Sequence, residues 1–268
     1  MRIFPILAVV GVIAYTGSEA WGPSGAPATP AQQVDFEWRG RLAQGQTLHI
    51  RGVNGPIEAT LASGSEVEVR AVKKEGRRGN AEDVTIEVVE HDGGVTICAI
   101  YPSKDRDDPN ECRANGRGQN NVNNNDTRVE FVVRVPAGVN FVGRSVNGDI
   151  EADGLESDVD VATVNGDIEV STSGAAEAST VNGNVWASLG SPTEGMKFST
   201  VNGQITVELP SGVSADVHAG TVNGSIETDF PLTVQGRWGP REMRGTIGGG
   251  GPKLSLETVN GSIRLIER

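Results

Sequence analysis

Carboxylates carry the most chemically suggestive pattern in this sequence. Between Ser145 and Ala178 there are nine of them and no lysine or arginine. Asp149 and Glu151 recur at matching places in the next unit as Asp167 and Glu169. If successive units stack, alternation puts all four on one outward face, because Ile150 and Ile168 point in. Like charges in adjacent strands repel, and a Ca²⁺ ion, which takes about 6–8 oxygen ligands, would relieve that repulsion. Ca²⁺ is thus the one cofactor the sequence suggests, set against a plain solvated acidic face. The Ca²⁺-binding nonapeptide repeat is missing. Trp186 falls in the column of Glu151 and Glu169. An exposed indole there would stack on a sugar ring while the carboxylates accept its hydroxyl hydrogen bonds; the alternative is a ring that covers a coil edge. Asp158 and Asp160 share a strand face, as an acid/base pair on a polysaccharide would, and as any solvated strand also does.

Other chemistry is not evident. There is no phosphate-binding Gly-x-x-x-x-Gly-Lys-[Ser/Thr] loop, no His-Glu-x-x-His and no Gly-x-Ser-x-Gly. The three histidines, His49, His91 and His218, are scattered. His49 lies between Leu48 and Ile50, so alternation turns it to solvent. No catalytic residue is assigned, and the chain reads as a non-enzyme. Its formal charge is −12, from 23 basic and 35 acidic residues. Nucleic acid and anionic membrane surfaces both require a basic face. An envelope protein or a glycan remains as the partner class.

The N-terminus reads as an export signal. Met1-Arg2 precedes an apolar run from Ile3 to Val12, and Ser18-Glu19-Ala20 supplies small residues for cleavage, so residues 1–20 read as a signal peptide. The run is short for a hydrocarbon core of about 30 Å, and no cysteine follows it to take a lipid. Residues 21–34, rich in Pro, Ala and Gly, read as a linker. The destination is the periplasm, the envelope or the medium, where disulfides form. Cys98 and Cys112, the only cysteines, are therefore expected to pair. They enclose the beginning of a long polar insertion, residues 102–128, of the kind that is usually disordered or functional.

The elements that must position these residues follow from a repeated word. Val-Asn-Gly occurs at 53–55, 146–148, 164–166, 181–183, 201–203, 222–224 and 259–261. An aliphatic residue follows each Gly by two places, and Ser or Thr precedes all but the first copy. Successive asparagines from Asn147 are 18, 17, 20, 21 and 37 residues apart. Met243-Arg244-Gly245-Thr246-Ile247 reads as a degenerate copy that divides the longest interval. Short alternating strands flank each word and no helical periodicity is sustained. Only 12 residues are aromatic. The fold is read as all-β: a parallel β-solenoid of 17–21-residue coils over residues 141–268, preceded by an N-terminal β region (35–140) that caps it. The alternative is an antiparallel meander with Asn-Gly at hairpin turns. Only in-register stacking demands the same residue types at the same places in every unit. It puts Asn147, Asn165, Asn182, Asn202, Asn223 and Asn260 in one hydrogen-bonded column about 4.8 Å apart. Asn and Gly also tolerate the left-handed backbone expected at such corners.

The word T-V-N-G-[DSNQ]-[IV], with the strand Val129-Glu130-Phe131-Val132-Val133-Arg134-Val135-Pro136-Ala137-Gly138, resembles a bacterial family of adhesin-like proteins with β-strand repeats, a domain family of unknown function. The resemblance spans residues 35–268 and is most specific from 141 onward. It implies a stacked β architecture in exported or envelope proteins, and no catalytic residues. Three functional readings stand beside it. The first is a non-catalytic envelope module that presents a ladder of side chains. The others are a carbohydrate-active β-helix enzyme and a ligand-free periplasmic spacer.

Overall fold

The computed structural model describes residues 35–105, 107–116, 121–190, 194–234 and 241–268. The signal peptide and linker read from the sequence lie outside the described residues. Each coil pairs one strand from an eleven-stranded sheet with one from a ten-stranded sheet, and in all but the outermost coil the Val-Asn-Gly word turns the corner between them. Asn140–Arg144 leads into Ile150–Leu155, Val159–Ala162 into Ile168–Thr172, Ala176–Ser179 into Val185–Leu189, and Met196–Asn202 into Ile205–Leu209. Neighbouring coils are parallel and in register, with Ile150, Ile168, Val185 and Ile205 in one row. This is the parallel solenoid and not the meander. At the corners, backbone groups point along the stack: Asn165 N–H donates to Val146 O at 2.8 Å and Gly166 N–H to Asn182 O at 3.1 Å. A hairpin turn would bond across itself instead.

Alternation explains the core. In the strands of both sheets the inward residues are fully buried, among them Ile168, Val170, Val185, Ala187, Val159 and Val161. Two facing sheets with aliphatic inner rows leave little room for rings. The aromatic side chains that enter, such as Phe141 and Phe198, sit in rows that give way. Phe198 lies between Ala178 and Leu256, and Phe141 beside Val159.

The coils do not stack in chain order. The last one, built from Lys253–Asn260 and Ile263–Glu267, lies between the coil at 196–209 and the coil at 215–228. Residues 243–247, read from the sequence as a degenerate repeat, belong to an antiparallel strand, Glu242–Ile247, beside Ala215–Asn223. The arrangement is mirrored at the other end. Thr47–Arg51 and Ile57–Leu61 form a coil between the one at 140–155 and an outermost coil made from Gly94–Ile100 and Arg128–Val135. Residues 35–140 thus contribute two coils as well as a cap. The cap consists of the antiparallel strands Phe36–Gly40, Val67–Lys74 and Thr85–His91. Antiparallel end strands of this kind shield the open edges of a stack.

Candidate functional site

Every residue of the repeated word has a separate task at the corner. The hydroxyl before the word turns inward and donates to the glycine carbonyl of an adjacent coil. Thr163 Oγ1 reaches Gly148 O at 2.9 Å, Thr180 reaches Gly166 O at 3.0 Å, and Thr258 reaches Gly203 O at 3.0 Å. The asparagines form one continuous amide ladder in the spatial order 54, 147, 165, 182, 202, 260, 223. Its six Nδ2-to-Oδ1 bonds are 2.7–2.9 Å long. Asn54 belongs to it although the column expected from the sequence starts at Asn147. The signal was there, in Val53-Asn54-Gly55, but that copy precedes the regular repeats.

Glycine is needed for clearance rather than for turning. A Cβ on Gly166 would lie 2.3 Å from Gly148 O, and one on Gly203 would lie 1.8 Å from Gly183 O. The left-handed backbone expected at these corners is absent: of the seven word glycines only Gly55 has a positive φ, 122°, and none of the word asparagines has one. The coil turns gradually, so stacking distance and not torsion selects the residue.

The valine of the word turns outward. Val146, Val164, Val181, Val201, Val259 and Val222 are 38–55% exposed. Among the described residues, Val132 is the only other large hydrophobic side chain so exposed. At about 4.8 Å per coil the valines and asparagines make two adjoining rails, roughly 29 Å long for the amide ladder. Val53, at 7%, is covered.

The acidic residues fall on the strands that follow. Glu151 pairs in register with Glu169, and Glu169 with Trp186, which is half-buried and continues to Thr206. Asp149 and Asp167 are exposed, but one oxygen of each is engaged. Asp149 Oδ1 accepts Asp167 N–H at 2.9 Å, and Asp167 Oδ1 accepts Asn184 N–H at 2.7 Å. Asn184 Oδ1 continues the series by accepting Gln204 N–H at 2.9 Å. Among the described residues no group of three or more His, Cys, Asp or Glu converges in metal-holding geometry. Asp158 Oδ1 accepts Ala175 N–H at 2.9 Å, while Asp160 is ion-paired with Arg144.

Residues 116–265 match the family described as Toastrack DUF4097, which is more than half of the sequence. The chain belongs to the Toastrack DUF4097 family. Among the solved structures similar to it are the following two. One is a putative cell adhesion protein from Clostridium sporogenes, 14% identical, with 88% of this chain and 100% of that one covered and a TM-score of 0.44. The other is a putative adhesin from Bacteroides fragilis, 11% identical, with 89% and 99% covered and a TM-score of 0.35. No curated protein matches the chain.

The Toastrack match begins inside the polar insertion, which is itself tied down wherever it is described. Cys98 and Cys112 form a disulfide. Buried Asn110 donates to Tyr101 O at 2.8 Å and accepts Asn121 N–H at 2.6 Å. Buried Asn125 donates to Asn80 O at 2.9 Å and accepts Thr127 N–H at 3.0 Å. These amides take the place of strand partners. The disulfide also holds residues 114–116 over the outer face of the eleven-stranded sheet. Arg51 donates to Gly116 O at 3.0 Å there.

His49, expected to face solvent, does point outward, but it is half-buried under this loop. Its ring lies 6.1 Å from that of His91, and its Nδ1 is buried without a partner. Burial first, then His91 and Arg144, hold its pKa below the ordinary 6.5, with Asp160 opposing. The folded state therefore favours the neutral ring. The stabilisation is complete above the unfolded value and is lost as pH falls through the folded one. His49→Gln is expected to flatten the dependence of the urea midpoint on pH between about 7.5 and about 5. Parallel pH profiles for the two proteins would contradict the assignment.

Proposed function

We propose that this Toastrack chain is a non-catalytic binding module of the cell envelope, and that it meets its partner through the Val-Asn corner rails. The observation that carries this reading is the concentration of exposed large apolar side chains on one edge, in register with an amide ladder. Contiguous exposed apolar surface on a soluble domain marks interaction sites. Valine is stiff about χ1, so little freedom is lost when it is covered. Each asparagine from Asn147 onward spends one amide hydrogen on the ladder and keeps a second for a partner. The rails offer apolar contact and amide hydrogen bonds, without a nucleophile or an acid–base pair. The signal-like N-terminus and the disulfide support export, since such bonds persist in oxidising compartments. The partner class is an envelope protein.

Pull-down from envelope extracts tests this reading. The wild type is expected to capture a partner that Val164→Ser, Val181→Ser, Val201→Ser combined loses at least tenfold, with an unchanged circular dichroism spectrum. Equal capture by the two proteins would overturn it.

A further inference from the structure

The amide ladder has a direction. Asn147 donates to Asn54, Asn165 to Asn147, Asn182 to Asn165, Asn202 to Asn182, Asn260 to Asn202 and Asn223 to Asn260. All six bonds run the same way, so the amide dipoles add, as peptide dipoles do along a helix, and each bond polarises the next. The Asn223 end is left with a free carbonyl. The Asn54 end is left with an amide group that no rung consumes; one of its hydrogens is directed to the Tyr101 hydroxyl, the other is not used by the ladder, and this end carries the partial positive charge of the column.

That end faces a cleft. In the outermost coil the insertion replaces the Val-Asn-Gly corner, leaving a cleft of about 550 Å³ lined by Asn54, Asn147, Arg78, Lys104, Asn124 and Asp126, among others. Clefts of roughly 300–1,000 Å³ suit small ligands. Two cations line it against one carboxylate, and that carboxylate is engaged. Asp126 Oδ1 accepts Arg78 N–H at 2.8 Å and Oδ2 lies 3.5 Å from Arg78 Nε. The backbone bond from Arg78, with its guanidinium, holds the Asp126 carboxyl below the ordinary range. Lys104 makes no ion pair among the described residues. Asn124 is held at a φ of 46°, a conformation that asparagine tolerates better than most residues. In a chain of net charge −12, donors and cations thus converge where the ladder dipole is positive.

We propose that this cleft binds an oxyanion, a carboxylate or a phosphate ester, with Asn54 Nδ2, Lys104 Nζ and the Arg78 guanidinium as donors. Charge-assisted bonds from cations to oxyanions are the stronger class. The site is independent of the valine rail: it uses the end of the ladder, and its loss would leave the rail intact.

NMR titration of the ¹⁵N-labelled full chain with inorganic phosphate and, separately, with glucuronate at constant ionic strength tests it. Saturable shifts of the Asn54 side-chain amide are expected. Saturation by phosphate alone assigns a phosphate source, by glucuronate alone a uronate source, and by both a general oxyanion site. Asn54→Asp keeps the acceptor for Asn147 but replaces the amide donor, shared with Tyr101, with a negative oxygen, and is expected to weaken binding at least tenfold. Lys104→Gln, an exposed change, is expected to weaken it at least threefold and decides the matter should the first variant not fold. Asn223→Asp, at the far end, is expected to leave binding unchanged. Absence of saturation with both probes, or undiminished binding by Lys104→Gln, would overturn the site.

Discussion

Gly183→Ala is expected to be among the most damaging single-methyl changes in this protein. The added Cβ would lie 1.9 Å from Gly166 O and 2.5 Å from Gly166 C, both of them backbone atoms. Neither can yield without parting two coils at the corner. Parting them would also strain the bond from Thr180 to Gly166 O and the amide rungs on either side of Asn182. Overpacking usually costs about 1–3 kcal/mol. A clash with backbone on a repeating interface belongs at or beyond the upper end, about 3 kcal/mol or more. Gly64, with nothing within 4 Å of a built Cβ and no positive φ, provides the control. Gly64→Ala is expected to be neutral or slightly stabilising, by about 0.4–1 kcal/mol, because the unfolded chain loses freedom. Chemical denaturation of both variants checks this. A wild-type midpoint for Gly183→Ala would mean that the corners are not in contact.

Removal of the disulfide is the second large effect. Cys98 and Cys112 are 14 residues apart, and closing such a loop stabilises the fold by about 3 kcal/mol in the chain-entropy account. Cys98→Ser with Cys112→Ser is expected to cost about that much. It should also do something a purely entropic staple would not. Residues 114–116 are released from His49 and Arg51, so the ring regains water and its pKa moves back towards 6.5. The double variant should therefore lose much of the pH sensitivity that His49→Gln also removes. A reduced protein with an unchanged midpoint and an unchanged pH profile would refute both roles.

Much of the fold was legible because a short word recurs at corresponding places. In-register stacking is the arrangement that requires this, and the ladder from Asn147 onward follows directly. The order of the coils was not legible. Asn260 bonds equally well to Asn202 and to Asn223, and nothing local in the residues distinguishes a coil added at the end from one inserted earlier. The glycines were placed correctly for a different physical reason: a contact between coils acts on the same position as a torsional requirement. The valine rail was missed because apolar residues are counted into the core. At the corner, alternation lapses and two successive residues, Val and Asn, both face out. The order in the described part of the insertion was not legible from its polarity, since Asn110 and Asn125 use that polarity to bind backbone. His49 was oriented correctly by alternation, but the loop that covers it is distant in the chain: the bond from Arg51 to Gly116 spans 65 residues.

The interleaved ends bear on how the chain is made. Coils 140–209 follow one another in order and can zip up through short-range contacts as they leave the ribosome. Residues 253–267, synthesised after both of their neighbours, have to wedge between two segments already emerged. Until they arrive, the coil at 196–209 and the strands at 215–228 lack a shared neighbour. A nascent chain halted before residue 253 would thus carry an open seam in the middle of a wall. Closure of that wall waits on a segment made after both of its neighbours.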